Sequence, residues 1–374
     1  MRDGDDPRPI VAVVIPCHRV RDRVLGVIER IGPEVGRIFV VDDACPEQTG
    51  RHVLATCRDD RVEVMFHTVN LGVGGAVMTG YRRAMAIGAA VVVKVDGDGQ
   101  MDPALIPRFV APILEGRADY TKGNRFHNVE DVRAMPAARL VGNAGLSFMS
   151  KASTGYWQVF DPTNGYTAID TRALAALPLG KVQRRYFFET DLLFRLGTIQ
   201  AAVLDVPMTA VYEDHRSGLK ISRVLLPFLG GNLRNTGKRI VYNYFLRNFS
   251  LASLQLVAGL LLLAFGTLVG VLGWGESIAS GVPATTGTVM LAALPIVLGF
   301  QLVLSFMAYD IGAAASRAIS PMLSAPLAQP GDVAPGVRCG ADRSKYLEGA
   351  DDEDDRQRRL GDGQYGDLAR EGRR

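Results

Sequence analysis

The chain has 374 residues, 48% of them hydrophobic and 22% charged, with a formal net charge of +3. That composition excludes a disordered chain, and so small a positive balance argues against a dedicated nucleic-acid binder. Cysteines at 17, 45, 57 and 339 form no C-x-x-C pair, which excludes a disulfide scaffold or zinc module and suits a reducing cytosol.

The N-terminal MRDGDDPRPI carries acidic residues and no apolar stretch, so no signal peptide is expected. Apolar runs of strand length follow: IVAVVIP (10–16), RIFVVD (37–42), VEVMFH (62–67) and AVVVKVD (90–96), rich in the β-branched residues of buried parallel strands. Between them Val20–Ile31, Glu47–Cys57 and Gly75–Gly88 carry helical periodicity. The alternation predicts an α/β fold, a mostly parallel doubly wound sheet with helices on both faces. Ligands of such sheets bind beyond the carboxyl ends of the strands.

Polar residues collect at those ends: Pro16-Cys17-His18, Asp42-Asp43, Asn70-Leu71-Gly72 and Asp96-Gly97-Asp98-Gly99-Gln100. Two acidic clusters on one rim repel each other unless a cation or ligand donors are present. In D-G-D-G-Q, two carboxylates one residue apart on a glycine turn, with the Gln100 carbonyl, suit a hard cation such as Mg²⁺ or Mn²⁺. The glycine stretch 70–76 admits two readings, amides approaching a phosphate or a tight strand-to-helix turn. It lacks the Lys-Ser/Thr of a P-loop.

Beyond residue 215 the hydrophobicity concentrates. Residues 216–247 carry seven Lys or Arg and no acid, mixed with bulky apolar side chains, and read as an interfacial segment on anionic lipid. No charge occurs between Arg247 and Glu276 or from Ser277 to Tyr309, which predicts two transmembrane helices at about 250–273 and 286–309. Pro295 inside the second is tolerated in a membrane. The basic stretch places residues 1–247 in the cytoplasm, the short loop outside and the tail back inside, an integral protein of the cell (inner) membrane. Four regions are therefore expected: a catalytic domain (1–215), a juxtamembrane segment (216–248), the two spans (249–311) and a disordered tail (312–374).

VAVVIP, Asp42-Asp43, NLGVGGAVMTGYRRAM, VVKVDGDGQMDP, KGNRF and FDPTNGYTAID, in that order, resemble family 2 glycosyltransferases of GT-A fold. More narrowly they resemble the dolichyl-phosphate mannose synthase and bacterial polyprenyl-phosphate glycosyltransferase group, over roughly residues 8–225. The resemblance implies that Asp96, Asp98 and Gln100 hold the metal and diphosphate, and that Pro16, Asp42, Asp43 and Gly72, with Asp96, line the nucleotide-sugar site. It places Arg125, Arg139, Asn143, Arg216 and Lys220 around the acceptor phosphate and Asp161 at the catalytic base position; Glu189 and Asp191 match an acidic pair of open role. Trp157 and its aromatic neighbours read as packing rather than a sugar platform.

The implied reaction is metal-dependent, inverting transfer of a hexose from GDP-mannose or a UDP-hexose to polyprenyl (dolichyl or undecaprenyl) phosphate at the cytoplasmic face. Such an acceptor is already an anion, since a phosphate monoester's second pKa is about 6. A transferase with another lipid or saccharide acceptor is the alternative, and a non-catalytic nucleotide-sugar-binding scaffold a more distant one. Two departures, His18-Arg19-Val20 in place of the family's Asn-Glu pair and D-D-A-C-P-E in place of D-D-G-S-x-D, fall in nucleotide-facing loops and leave the nucleobase open. The sequence sets neither the sugar nor the oligomeric state.

Overall fold

The structure, a computed structural model, describes residues 9–126, 137–208, 221–324 and 335–339. Its centre is an eight-stranded sheet of order β7-β5-β6-β4-β1-β2-β3-β8. The strands are β1 (Val11–Cys17), β2 (Arg37–Asp42), β3 (Val62–Phe66), β4 (Val91–Lys94), β5 (Tyr120–Asn124), β6 (Thr167–Asp170), β7 (Val203–Pro207) and β8 (Val337–Arg338). β1 pairs in parallel with β2 and β4, β2 with β3, and β5 with β7, whereas β6 runs antiparallel between β4 and β5. The predicted mostly parallel sheet is therefore present, with one reversed strand inside it.

Successive residues of a strand face opposite sides, and both sides are covered. Val13 and Ile15 enter a core with Val24, Val40 and Phe109. Ala12 and Val14 enter the other with Phe39, Tyr81 and Leu192. The three expected helices are α1 (Arg21–Glu29), α2 (Thr49–Thr56) and α3 (Val73–Ala86). They are followed by α4 (Ile106–Leu114), α5 (Ala137–Thr154), α6 (Thr171–Ala175), α7 (Phe188–Thr198) and α8 (Ile221–Val241).

A π-helical turn, Tyr242–Arg247, leads from α8 into α9 (Leu251–Ser280) and α10 (Thr286–Gly312). Both are long and apolar enough to cross a membrane, and Leu260, Leu261, Leu268, Val297 and Phe300 stay exposed along them. The first continues to Ser280, past the expected end near 273. Their shared face is made of small residues: a Cβ on Gly266 would meet the Ala292 carbonyl at 2.6 Å, and one on Gly299 the Gly259 carbonyl at 2.8 Å. Close backbone approach of this kind is how apolar helices associate where lipid competes equally for leucine.

The chain after the hairpin is not structureless throughout, contrary to expectation. The Ile319 and Ser320 amides donate to the Asp119 carboxylate at 3.0 and 2.7 Å. Asp119 is fully buried and needs such donors. β8 then pairs antiparallel with β3, and the Gly336 amide donates to Glu63 at 2.7 Å. Without β8 the β3 edge would present unpaired backbone groups.

Candidate active site

The rim above β1 to β4 is held together by its own carboxylates. Asp42 accepts the amides of Cys45 (2.7 Å) and Gly50 (2.6 Å), which folds the loop into the start of α2. Asp43 accepts the amides of Leu71 (2.8 Å) and Gly72 (2.7 Å), and His67 Nδ1 lies 2.7 Å from it. Both aspartates are buried. They form part of the rim with the half-buried Pro16 at the end of β1, and their oxygens are already bonded to the protein.

The same accounting resolves the glycine stretch. The Gly74 and Gly75 amides donate to the Arg184 carbonyl at 2.9 and 3.3 Å, and those of Leu71 and Gly72 go to Asp43. Gly72 has φ +85°, and a Cβ there would meet the Arg184 carbonyl oxygen at 2.6 Å. The glycines thus dock residues 183–185 against the N-terminus of α3. The Gly72 amide is engaged by Asp43 at the rim where the sequence places Gly72 beside the nucleotide sugar.

At the end of β4, Lys94 is 1% exposed and its ammonium donates to Asp96 Oδ1 at 2.7 Å and to the Gly165 carbonyl at 3.1 Å. Glu189 Oε1, from α7, lies 3.6 Å from the same ammonium. Burial works against the charge on Lys94, but the two carboxylates outweigh it and its pKa is raised. Gly165 leaves room for this pair, since a Cβ would meet Lys94 Nζ at 2.5 Å and Asp96 Oδ2 at 2.8 Å.

Asp98, two residues further on, is half-buried. It accepts the Gln100 amide at 3.1 Å, while its backbone carbonyl accepts Arg23 Nη1 at 3.3 Å. Desolvation raises its pKa against the bond from the Gln100 amide, with proximity to Asp96 adding to the rise and Lys94 and Arg23 opposing it. Gln100 is exposed. Among the described residues no group of three or more His, Cys, Asp or Glu gathers to hold a metal. The donor set still suits Mg²⁺ or Mn²⁺ of the kind held by one or two carboxylates, with water and substrate phosphates completing the shell.

A second centre joins β5 to the loop after α5. Arg125 Nε and Nη2 donate to Asp161 Oδ2 and Oδ1 at 2.6 and 3.1 Å. Asp161 is buried at 1% exposure and Arg125 is 34% exposed. Thr163 Oγ1 and Asn164 Nδ2 approach the same carboxylate at 3.3 and 3.4 Å. Buried Lys122 donates to the Asn164 carbonyl, so K-G-N-R-F and D-P-T-N-G-Y interlock. Burial lowers the Lys122 pKa to about 8 against the attraction of Glu189 and Asp161. Lys122 therefore lies electrostatically between the two centres.

Asp191 accepts from Gln183 N, Arg195 Nε and Asn235 Nδ2 and ties α7 to α8, a structural assignment that its sequence left open. Arg139 and Asn143 lie on α5, where the backbone alone is described, and Arg216 and Lys220 fall outside the described residues. Sequence reasoning missed Lys94 and Lys122. The signal was present as two lysines inside strand runs, where a charge is retained only if paired. A cavity of about 330 Å³ lies where Arg239 and Tyr244 meet Asp310 and one of about 450 Å³ between residues 183–191 and α8, and neither is lined by Asp96, Asp98 or Asp161.

This mixed sheet with an acidic turn after β4 is that of a GT-A glycosyltransferase domain. Residues 12–177 match the family model for glycosyl transferase family 2, so the chain carries a glycosyltransferase domain of that kind. Over 220 residues the chain is 26% identical to the UDP-N-acetylglucosamine–dolichyl-phosphate N-acetylglucosaminyltransferase of Methanococcus voltae, covering 55% of this chain and 87% of that protein. Over 209 residues it is 29% identical to the undecaprenyl-phosphate mannosyltransferase of Micrococcus luteus, covering 54% and 84%. Among solved structures, glucosyl-3-phosphoglycerate synthase from Mycobacterium tuberculosis in complex with UDP is similar at 21% identity and TM-score 0.47, covering 62% of this chain and 81% of that one.

Proposed function

We propose that the protein transfers a hexose from a nucleotide-diphosphate sugar, GDP-mannose or a UDP-hexose, to polyprenyl phosphate at the cytoplasmic face of the cell membrane, with inversion. The observation that carries this is the pairing of two unlike centres in one domain tied to an apolar hairpin. One is an acidic turn whose half-buried Asp98 has, among the described residues, no cationic side chain bonded to its carboxylate. The other is a partly exposed guanidinium, Arg125, held by a buried carboxylate. Relatives named for dolichyl and undecaprenyl phosphate acceptors support the same assignment.

Asp98, with Asp96 beside it and Gln100 at the rim, would hold Mg²⁺ or Mn²⁺. When bound, the cation supplies neutralisation of the charge that develops on the departing diphosphate. Lys94 fixes Asp96 through the 2.7 Å bond from its ammonium. Arg125 binds the acceptor phosphate by charge-assisted bonds and orients it toward the anomeric carbon. Asp161, both of whose oxygens are engaged by Arg125, orients that guanidinium rather than withdrawing a proton from a phosphate that is already anionic. Arg139, Asn143, Arg216 and Lys220 extend the acceptor site on this reading, and the basic segment 216–247 lies against anionic headgroups.

The test is transfer from a panel of radiolabelled nucleotide sugars to undecaprenyl and dolichyl phosphate by the purified full chain with Mg²⁺ or Mn²⁺. One donor is expected to give a lipid-linked monosaccharide that mild acid releases. Transfer to diacylglycerol or an oligosaccharide but to neither lipid phosphate would overturn the assignment.

A further inference from the structure

Asp310 stands near the end of α10 and is 4% exposed. It is the first charge after an uncharged run beginning at Ser277. A carboxylate at that depth is costly unless paired. Its oxygens accept from Arg239 Nη1 (2.5 Å), Arg239 Nη2 (2.9 Å), Tyr244 OH (2.6 Å) and Trp157 Nε1 (2.9 Å).

These donors come from separate parts of the chain. Arg239 lies on α8, where its Nε also donates to the Ala152 carbonyl of α5. Tyr244 belongs to the π-helical turn. Trp157, 153 residues away from Asp310, belongs to the loop that leads into Asp161. Its ring meets Phe148 edge-on, with centroids 5.6 Å apart.

Three residues after Trp157, the exposed Phe160 donates its amide to Asp205 at 2.9 Å and lies under the Lys151 ammonium. Next comes Asp161, which holds Arg125. An unbroken series of bonded and sequential groups therefore runs from the second apolar helix to the guanidinium of the acceptor centre. Arg239 and Tyr244 suffice to neutralise and satisfy Asp310. The indole N–H adds little to that and instead fixes one edge of the loop.

We infer that Trp157 and Asp310 are positioning residues: through their hydrogen bond the docked apolar hairpin sets the loop that carries Asp161, and so aligns Arg125 for the acceptor phosphate. This rests on the acceptor role proposed above for Arg125.

Trp157→Phe removes the N–H and keeps most of the ring, so the protein should fold. In the full chain in lipid nanodiscs, the KM for undecaprenyl phosphate should rise roughly five- to tenfold, the loss expected for one ordinary hydrogen bond. The KM for the nucleotide sugar and kcat at saturating lipid should stay within about twofold. Hydrogen exchange of the amides between Val159 and Asn164 should quicken about tenfold, while those of α3 stay unchanged. Asp310→Asn, which keeps the shape, should move the same quantities in the same direction.

Unchanged loop exchange in Trp157→Phe would overturn the inference, as would equal losses for both substrates. If the wild-type protein ignores polyprenyl phosphate yet loop exchange still quickens in the variant, the acceptor assignment falls while the coupling between hairpin and loop stands.

Discussion

Arg125 grips Asp161 through two N–H···O bonds of 2.6 and 3.1 Å, one partner reaching solvent and the other buried. The geometry separates two roles for the carboxylate. A proton acceptor needs a free lone pair directed at the nucleophile, whereas a holder of Arg125 needs both oxygens engaged. Asp161→Asn should therefore raise the KM for the lipid phosphate by about 10- to 100-fold, the worth of a charge-assisted pair, with a smaller fall in kcat. Arg125→Lys should do much the same, since an ammonium cannot replace the fork. A loss in Asp161→Asn confined to kcat and steepest at low pH would restore Asp161 as the base.

Asp96 and Asp98 are separated by one residue and should behave differently on substitution. Among the described residues no cation is bonded to the Asp98 carboxylate, so Asp98→Asn should leave the thermal unfolding midpoint within a few degrees. It should weaken Mn²⁺ binding, read by electron paramagnetic resonance, and lower kcat by about 10³-fold or more. Asp96→Asn removes the 2.7 Å partner of a lysine that is 1% exposed, leaving Glu189 at 3.6 Å. Breaking one side of a buried pair costs about 3 kcal/mol or more, so this variant should lose several degrees of Tm as well as activity. Equal stability of the two variants would contradict the division.

The contrast between these two carboxylates also marks what the sequence could reveal. Runs such as IVAVVIP and AVVVKVD announce buried strands because β-branched residues fill both faces, and the acidic turn follows because it caps one of them. Pairing is another matter. That Asp42 and Asp43 would be engaged by backbone amides, or Asp96 by Lys94, depends on loop paths that composition does not encode. The reversed β6 and the two-residue β8 are too short for periodicity to register. Arg239 on α8 and Asp310 near the end of α10 lie 71 residues apart, and only the packing of those helices brings them together.

Lys122 carries the clearest pH signature. Its folded-state pKa, about 8 through burial, lies below its ordinary value of 10.5. The unfolded chain therefore binds more protons between those two values, and stability rises with pH across that window. Below about 8 the full cost of burying the ammonium is present, on the order of 3 kcal/mol. Lys122→Met should unfold at a higher temperature relative to wild type at pH 7 than at pH 10, the difference closing as the wild-type lysine loses its proton. A constant difference between the two proteins from pH 7 to pH 10 would show that Lys122 does not titrate there.

Gly72 and Gly88 both have positive φ, +85° and +72°, yet only the first is crowded. A Cβ on Gly88 meets nothing within 4 Å, so Gly88→Ala should cost only the left-handed backbone, about 1 kcal/mol. On Gly72 the same methyl would strike the Arg184 carbonyl oxygen at 2.6 Å and Arg185 Cγ at 3.0 Å. Relief requires residues 183–185 to withdraw, which breaks the Gly74 and Gly75 bonds to Arg184 and shifts Phe188, the residue before Glu189. Gly72→Ala should therefore lower Tm several degrees further than Gly88→Ala and reduce transfer at least tenfold, whereas Gly88→Ala keeps near-normal activity. Thermal unfolding and initial rates of the two variants, measured side by side, decide this: comparable behaviour would mean that the strand-to-helix turn, and not its contact with residues 183–185, is what the glycine serves.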